Sequence, residues 1–154
     1  MTTPHARWHR HGLLGQVIPL LTLIPLMSNC SSATQPVFTQ WEGNLEPVLP
    51  HIISGQVAAV SQFGRTQASI QIERAEMDVT YGWRIETGNC QGSGQIQGGV
   101  AVYPQLNPDE VGTAGGETTL STVFESGSTF AARLFRVLEG GAEQVAACAD
   151  LREL

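Results

Sequence analysis

Between Thr66 and Arg74 the chain alternates without interruption: Ala68, Ile70 and Ile72 fall on one face, Ser69, Gln71 and Glu73 on the other. A period of two belongs to an extended strand with one face against a core, and a helix of 3.6 residues per turn cannot use it. The same pattern recurs in Gln56–Gln62, with Val57 and Ala59 together, and in Val79–Glu86, where Val79, Tyr81, Trp83 and Ile85 oppose Asp78, Thr80, Arg84 and Glu86. Further strands are expected at Val100–Tyr103, Glu117–Phe124, Ser128–Leu138 and Gln144–Leu151. In the last of these Ala146 and Cys148 are expected to face together. Glycine-bearing turns such as Phe63-Gly64-Arg65, Glu125-Ser126-Gly127 and Glu139-Gly140-Gly141 separate the runs, and no helical period competes. About seven or eight short strands with regular turns predict an all-β sandwich with one core.

Residues 1–29 read as an export signal. Arg7 and Arg10 supply its positive start, and Leu13–Met27 its apolar run, which Pro19 and Pro25 break and which is short for a membrane span. The run ends at Cys30, a placement that resembles the lipidated cysteine of bacterial lipoproteins, with Asn29 where that pattern carries a small residue. The resemblance implies a diacylglycerol on Cys30 and a membrane partner reached through it. Ser31 resembles the default sorting position for an outer-membrane lipoprotein facing the periplasm. Cleavage after Ser31-Ser32-Ala33, giving a soluble secreted or periplasmic protein, and an uncleaved anchor are the alternatives. Residues 30–53 read as a flexible tether rich in Ser, Thr, Pro and Gln, in which Val37-Phe38 and Trp41 either hang loose or cover an edge. The folded domain is expected over residues 54–154.

Fourteen carboxylates face eight arginines and no lysine. No basic patch with interleaved aromatics can be drawn, which argues against nucleic acid as a partner and against electrostatic docking to anionic lipid. The glycine-rich stretch Gln91–Gly99 lacks the lysine and following helix of a phosphate cradle and reads as a loop. Of four histidines, His5, His9 and His11 lie in the signal, leaving His51 alone, expected at the surface or where a strand begins. One imidazole supports neither a copper or zinc centre nor more than one candidate base for acyl transfer, so no metal or other cofactor is expected.

The segment Trp83-Arg84-Ile85-Glu86-Thr87-Gly88-Asn89-Cys90 resembles the His-x-His-Glu-x-Gly-Asp/Asn-Cys signature of copper/zinc superoxide dismutases. Ala147-Cys148-Ala149-Asp150-Leu151 is similar to the closing Ala-Cys-Gly-x-Ile/Leu of the same family. The resemblance implies an antiparallel Greek-key sandwich or barrel. It also implies a disulfide between Cys90 and Cys148; two reduced thiols are the alternative, and an acylated Cys30 would leave these two free to pair. Trp83 and Ile85 stand where the family keeps two copper-binding histidines, and Val145 where it keeps a substrate-guiding arginine. An apolar pair on one side of a strand either packs into a core or forms an interaction patch.

The expected function is therefore that of a non-catalytic envelope lipoprotein domain, acting in binding or structural support with an envelope protein as partner. A degenerate dismutase or another envelope enzyme is the alternative.

Overall fold

A computed structural model describes residues 38–154; the expected signal, Cys30 and the first part of the expected tether lie outside them. The strands are β1 (Thr39–Pro47), β2 (Ser54–Gln62), β3 (Arg65–Glu73), β4 (Tyr81–Thr87), β5 (Ala114–Leu120), β6 (Phe130–Val137) and β7 (Glu143–Glu153). All pairings are antiparallel, in one seven-stranded sheet ordered β4-β6-β7-β1-β2-β3-β5. The sheet curls on its apolar face, so the inward residues of each strand meet in one interior. Ile70, Ile72, Tyr81, Ile85, Leu120 and Leu134 are fully buried there.

Residues 88–113, between β4 and β5, close the open side of the curl. Ile96 bridges to Glu86 and Leu106 to Tyr81 on β4, while the Thr118 hydroxyl of β5 donates to the Val102 carbonyl at 2.7 Å. Gly116 makes room for this closure, because a Cβ there would sit 2.7 Å from Leu106 and 3.3 Å from the Trp83 indole nitrogen. The expected strand at Val100–Tyr103 is instead a single 3-10 turn over Val100–Val102, with Tyr103 turned inward. The strand expected over Glu117–Phe124 lies earlier, at Ala114–Leu120, since β5 must match Thr66–Ile72 of β3.

The largest departure from expectation is β1. The stretch expected to be a tether over 30–53 contains a strand in the middle of the sheet, between β2 and β7. Trp41 and Leu45 point into the core, and Gln40, Glu42, Asn44 and Glu46 point out. Trp41 lies edge-on to Phe124 and Phe130, with ring centres 5.4 and 5.9 Å away, and those two rings stack at 4.0 Å. Phe124 lies beyond β5 yet is fully buried. Its amide donates to the Ser61 hydroxyl at 2.9 Å, and Ser61 in turn lies 2.6 Å from the Thr66 hydroxyl, which donates to the Thr122 carbonyl at 2.7 Å. This buried chain satisfies polar groups that would otherwise oppose burial of the loop.

His51 is also buried rather than at the surface, and its Nε2 has no hydrogen-bond partner. It follows the β1 strand closely enough to be drawn inward with Ile53, which fills the core.

Candidate functional site

The alternation of β4 puts Trp83 and Ile85 inward and Arg84 and Glu86 on the outer wall. Trp83 packs edge-on against Tyr103 at 4.9 Å between ring centres, and Ile85 is fully buried. Burial pushes the Tyr103 hydroxyl up to about 12, and it donates to the Gln97 carbonyl at 2.7 Å. Trp83 and Ile85 thus form no exposed interaction patch; the reading of that pair as a surface is corrected by its packing inside the curl of the sheet.

Cys90 and Cys148 are joined, with their Cα atoms 5.9 Å apart, a normal disulfide separation. The bond lies on the outer wall and does not cross the core. A bulge between Leu134 and Phe135 inserts Ala146, so that Leu134 opposes Ala147 and Phe135 opposes Val145. Ala146 and Ala147 both become buried, and the expectation that Ala146 and Cys148 simply share a face gives way to this extra residue. Cys148 faces outward opposite Arg133.

Around the disulfide the outer wall carries a connected set of charges. Glu86, nearly fully buried, accepts from Arg84 Nε at 2.8 Å, from Arg133 Nε at 3.1 Å and from the Gly94 amide at 3.3 Å. Burial alone would raise its carboxyl, but the Arg84 and Gly94 hydrogen bonds and the charges of Arg133 and Arg84 outweigh it and hold the group below its ordinary value. Arg84 also pairs with Glu143 at 2.7 Å and lies 3.8 Å over the Phe135 ring. Arg133 donates to the carbonyls of Asn89, at 3.1 Å, and Gly92. Asp150 accepts the Cys90 amide at 2.6 Å. The loop carrying Cys90 is therefore fixed to the wall by a covalent bond, an arginine and a carboxylate.

Beside this anchored loop is an open groove of about 520 Å³. Its floor is the junction of β1 and β7, whose pairing is interrupted between Glu42–Arg152 and Glu46–Cys148. Gly43 sits in the gap, where a Cβ would meet the Asp150 carbonyl at 2.9 Å and the Ala149 Cβ at 3.1 Å. Glu42, Glu46 and Asp150 supply acceptors along the groove, Arg133 and Arg152 supply donors, and Val145 lies on one wall. Such a lining can orient a polar ligand carrying both signs of charge.

Sequence reasoning located the disulfide pair but not the groove. The spacing of Arg84 and Glu86 on one strand face was a legible sign of the charged network. The contributions of Arg133 and the β1 acids depend on pairing partners far along the chain. Among the described residues no group of three or more His, Cys, Asp or Glu side chains is placed to hold a metal ion, and no helix is long and apolar enough to cross a membrane. No protein-family model, curated protein or solved structure matches the chain.

Proposed function

We propose that this chain is a non-catalytic cell-envelope lipoprotein, anchored by lipid on Cys30 and acting through the groove beside Cys90–Cys148 to bind or support a polar envelope partner. The observation that carries the reading is the packing of Trp83 and Ile85. At the positions where the resembled dismutases hold copper ligands, this chain places core side chains against Tyr103 and the Gly116 backbone. The finer fold reading is a Greek-key barrel of the dismutase type. It is supported by the disulfide at the resembled positions and by three successive connections, β3–β4, β4–β5 and β5–β6, that join strands distant in the sheet order.

Elemental analysis and a superoxide assay on the purified chain test the first half: about one tightly held copper or zinc per chain, with turnover, would restore the enzyme reading. Crosslinking in intact envelope tests the second. A reactive group at Asn44 should capture one protein or glycan, and the capture should be lost in Arg152→Glu. Equal capture by wild type and variant would mean that binding does not use the groove.

A further inference from the structure

We propose that the end of the barrel where β1 begins rests on the surface of a lipid bilayer, with Phe63 and Phe38 as its apolar contacts. This rests on the reading of Cys30 as the lipid anchor. The end in question gathers the start of β1, the β2–β3 turn, the β5–β6 loop and the close of β7. Thr39 opposes Ser61, the Leu154 amide donates to the Gln40 carbonyl, and the Phe124 amide reaches Ser61. Phe38, Phe63, Val123 and Leu154 are therefore brought to one end, and all four are exposed.

Phe63 carries the most information. It occupies the turn at φ 51°, in the left-handed region where glycine or asparagine is at ease and a phenylalanine is strained, and its side chain is 76% exposed. The position thus bears both backbone strain and a ring in water. Burial of that ring in an apolar medium offsets both costs.

Three observations select a bilayer as the medium. The chain enters the barrel at Phe38, eight residues after Cys30, and eight residues span at most about 29 Å. An acylated Cys30 therefore keeps this end within reach of the lipid surface. Within the connections at this end, Gln91–Gln95 and Ser121–Thr129 among them, Glu125 is the one charged side chain; at the strand ends beside them Arg65 flanks Phe63 and Glu153 accepts the Gly127 amide, so the charges there nearly balance. The connections at the opposite end carry Glu76, Asp78, Asp109, Glu110 and Glu139 against Arg74 alone. That end exposes more apolar side chains, Val48, Leu49, Ile52, Met77, Val111 and Leu138, but its carboxylates oppose approach to a leaflet with anionic headgroups. Contact at the Phe63 end rests on apolar partition more than on charge, since the chain has no lysine and Arg65 is the one cation next to Phe63.

The test uses the full chain, isolated from membranes and reconstituted in phosphatidylcholine vesicles, with a nitroxide on Arg65→Cys beside Phe63 or on Leu49→Cys at the opposite end. With Cys30 acylated and Cys90–Cys148 paired, the introduced cysteine is the reactive thiol. Collisions of the label with oxygen should rise several-fold relative to those with a water-soluble nickel chelate at position 65, and stay unchanged at position 49. Adding Phe63→Ser should cancel most of the rise, and phosphatidylglycerol in the vesicles should not enhance it. Equal water access at both positions, with the diacyl group confirmed by mass spectrometry, overturns the docking and leaves the anchor standing. If Cys30 proves unmodified, the same ratio is measured after adding vesicles to Cys30→Ser: a rise at position 65 keeps the docking face without the anchor, and no rise removes both. Protection at position 65 without vesicles, increasing with protein concentration, assigns the face to a second copy and also overturns the proposal.

Discussion

The two ends of this curled sheet are stabilised by opposite means. At the end where β1 begins, Trp41, Phe124 and Phe130 pack ring on ring beneath a chain of buried hydroxyls, and the outer connections are almost free of charge. At the other end, solvent-facing polar contacts hold the loops. Arg136 pairs with Glu76 at 2.9 Å, Arg74 reaches the Ser54 hydroxyl at 2.6 Å, and Asp109 accepts the Thr113 amide at 2.8 Å. Buried rings transmit a loss of volume to their neighbours, whereas exposed ion pairs are replaced by water at little cost. Stability is therefore expected to be concentrated at one end.

Trp41→Ala should have the largest effect, toward the top of the ~3–5 kcal/mol range for a fully buried aromatic, because two other rings lose their partner. Urea unfolding measures it, and a loss below about 1 kcal/mol would mean that the aromatic end is no more rigid than the charged one. Replacing both cysteines of the disulfide should cost about 4 kcal/mol, since the bond closes 58 residues of chain. Glu86→Gln should cost about 2 kcal/mol by leaving two arginines without their carboxylate. Its pH signature is separate. Because the folded carboxyl is held below its ordinary value, its contribution is complete above the unfolded-chain value of ~4.3 and is lost as pH falls through the folded value. Wild type should weaken more than Glu86→Gln over that acidic range. Thr66→Val should cost about 1 kcal/mol or slightly more, by breaking the hydroxyl chain under Phe124. Arg136→Ala, at the opposite end, should change stability by less than about 0.5 kcal/mol. A larger loss there than for Thr66→Val would reverse the comparison.

Strands with an unbroken apolar face between turn residues were legible from the pattern, whether that face is bulky, as in β3 and β4, or mostly alanine, as in β7. β2, β3, β4, β6 and β7 fall within two residues of their expected limits at each end. β1 was not legible, because its inward positions are Trp41, Gly43 and Leu45, and the glycine breaks the apolar run. That glycine is there for the near contact with Ala149 and Asp150, a reason found only in the neighbouring strand. Val100–Tyr103 has the composition of a strand, but Tyr103 turns to meet Trp83 and so ends any extended run. Of the site, the disulfide positions and the Arg84-x-Glu86 spacing could be read in advance. The groove could not, because it lies over a gap in pairing between the first and last strands.

The place of β1 at the centre of the sheet also sets an order of events for the chain as it is made. Of the described strands β1 is synthesised first, and it pairs on one side with β2, its neighbour in sequence, but on the other with β7, with Trp41 opposite Glu153. Until β7 exists, β1 presents an open hydrogen-bonding edge, the kind of surface that recruits other chains. Pairings so distant in sequence close slowly. A fragment starting at Ser54, where the sequence places the domain boundary, would lack the central strand and expose the edges of both β2 and β7. Such a fragment should aggregate rather than fold, whereas one starting at Thr34 keeps all seven described strands.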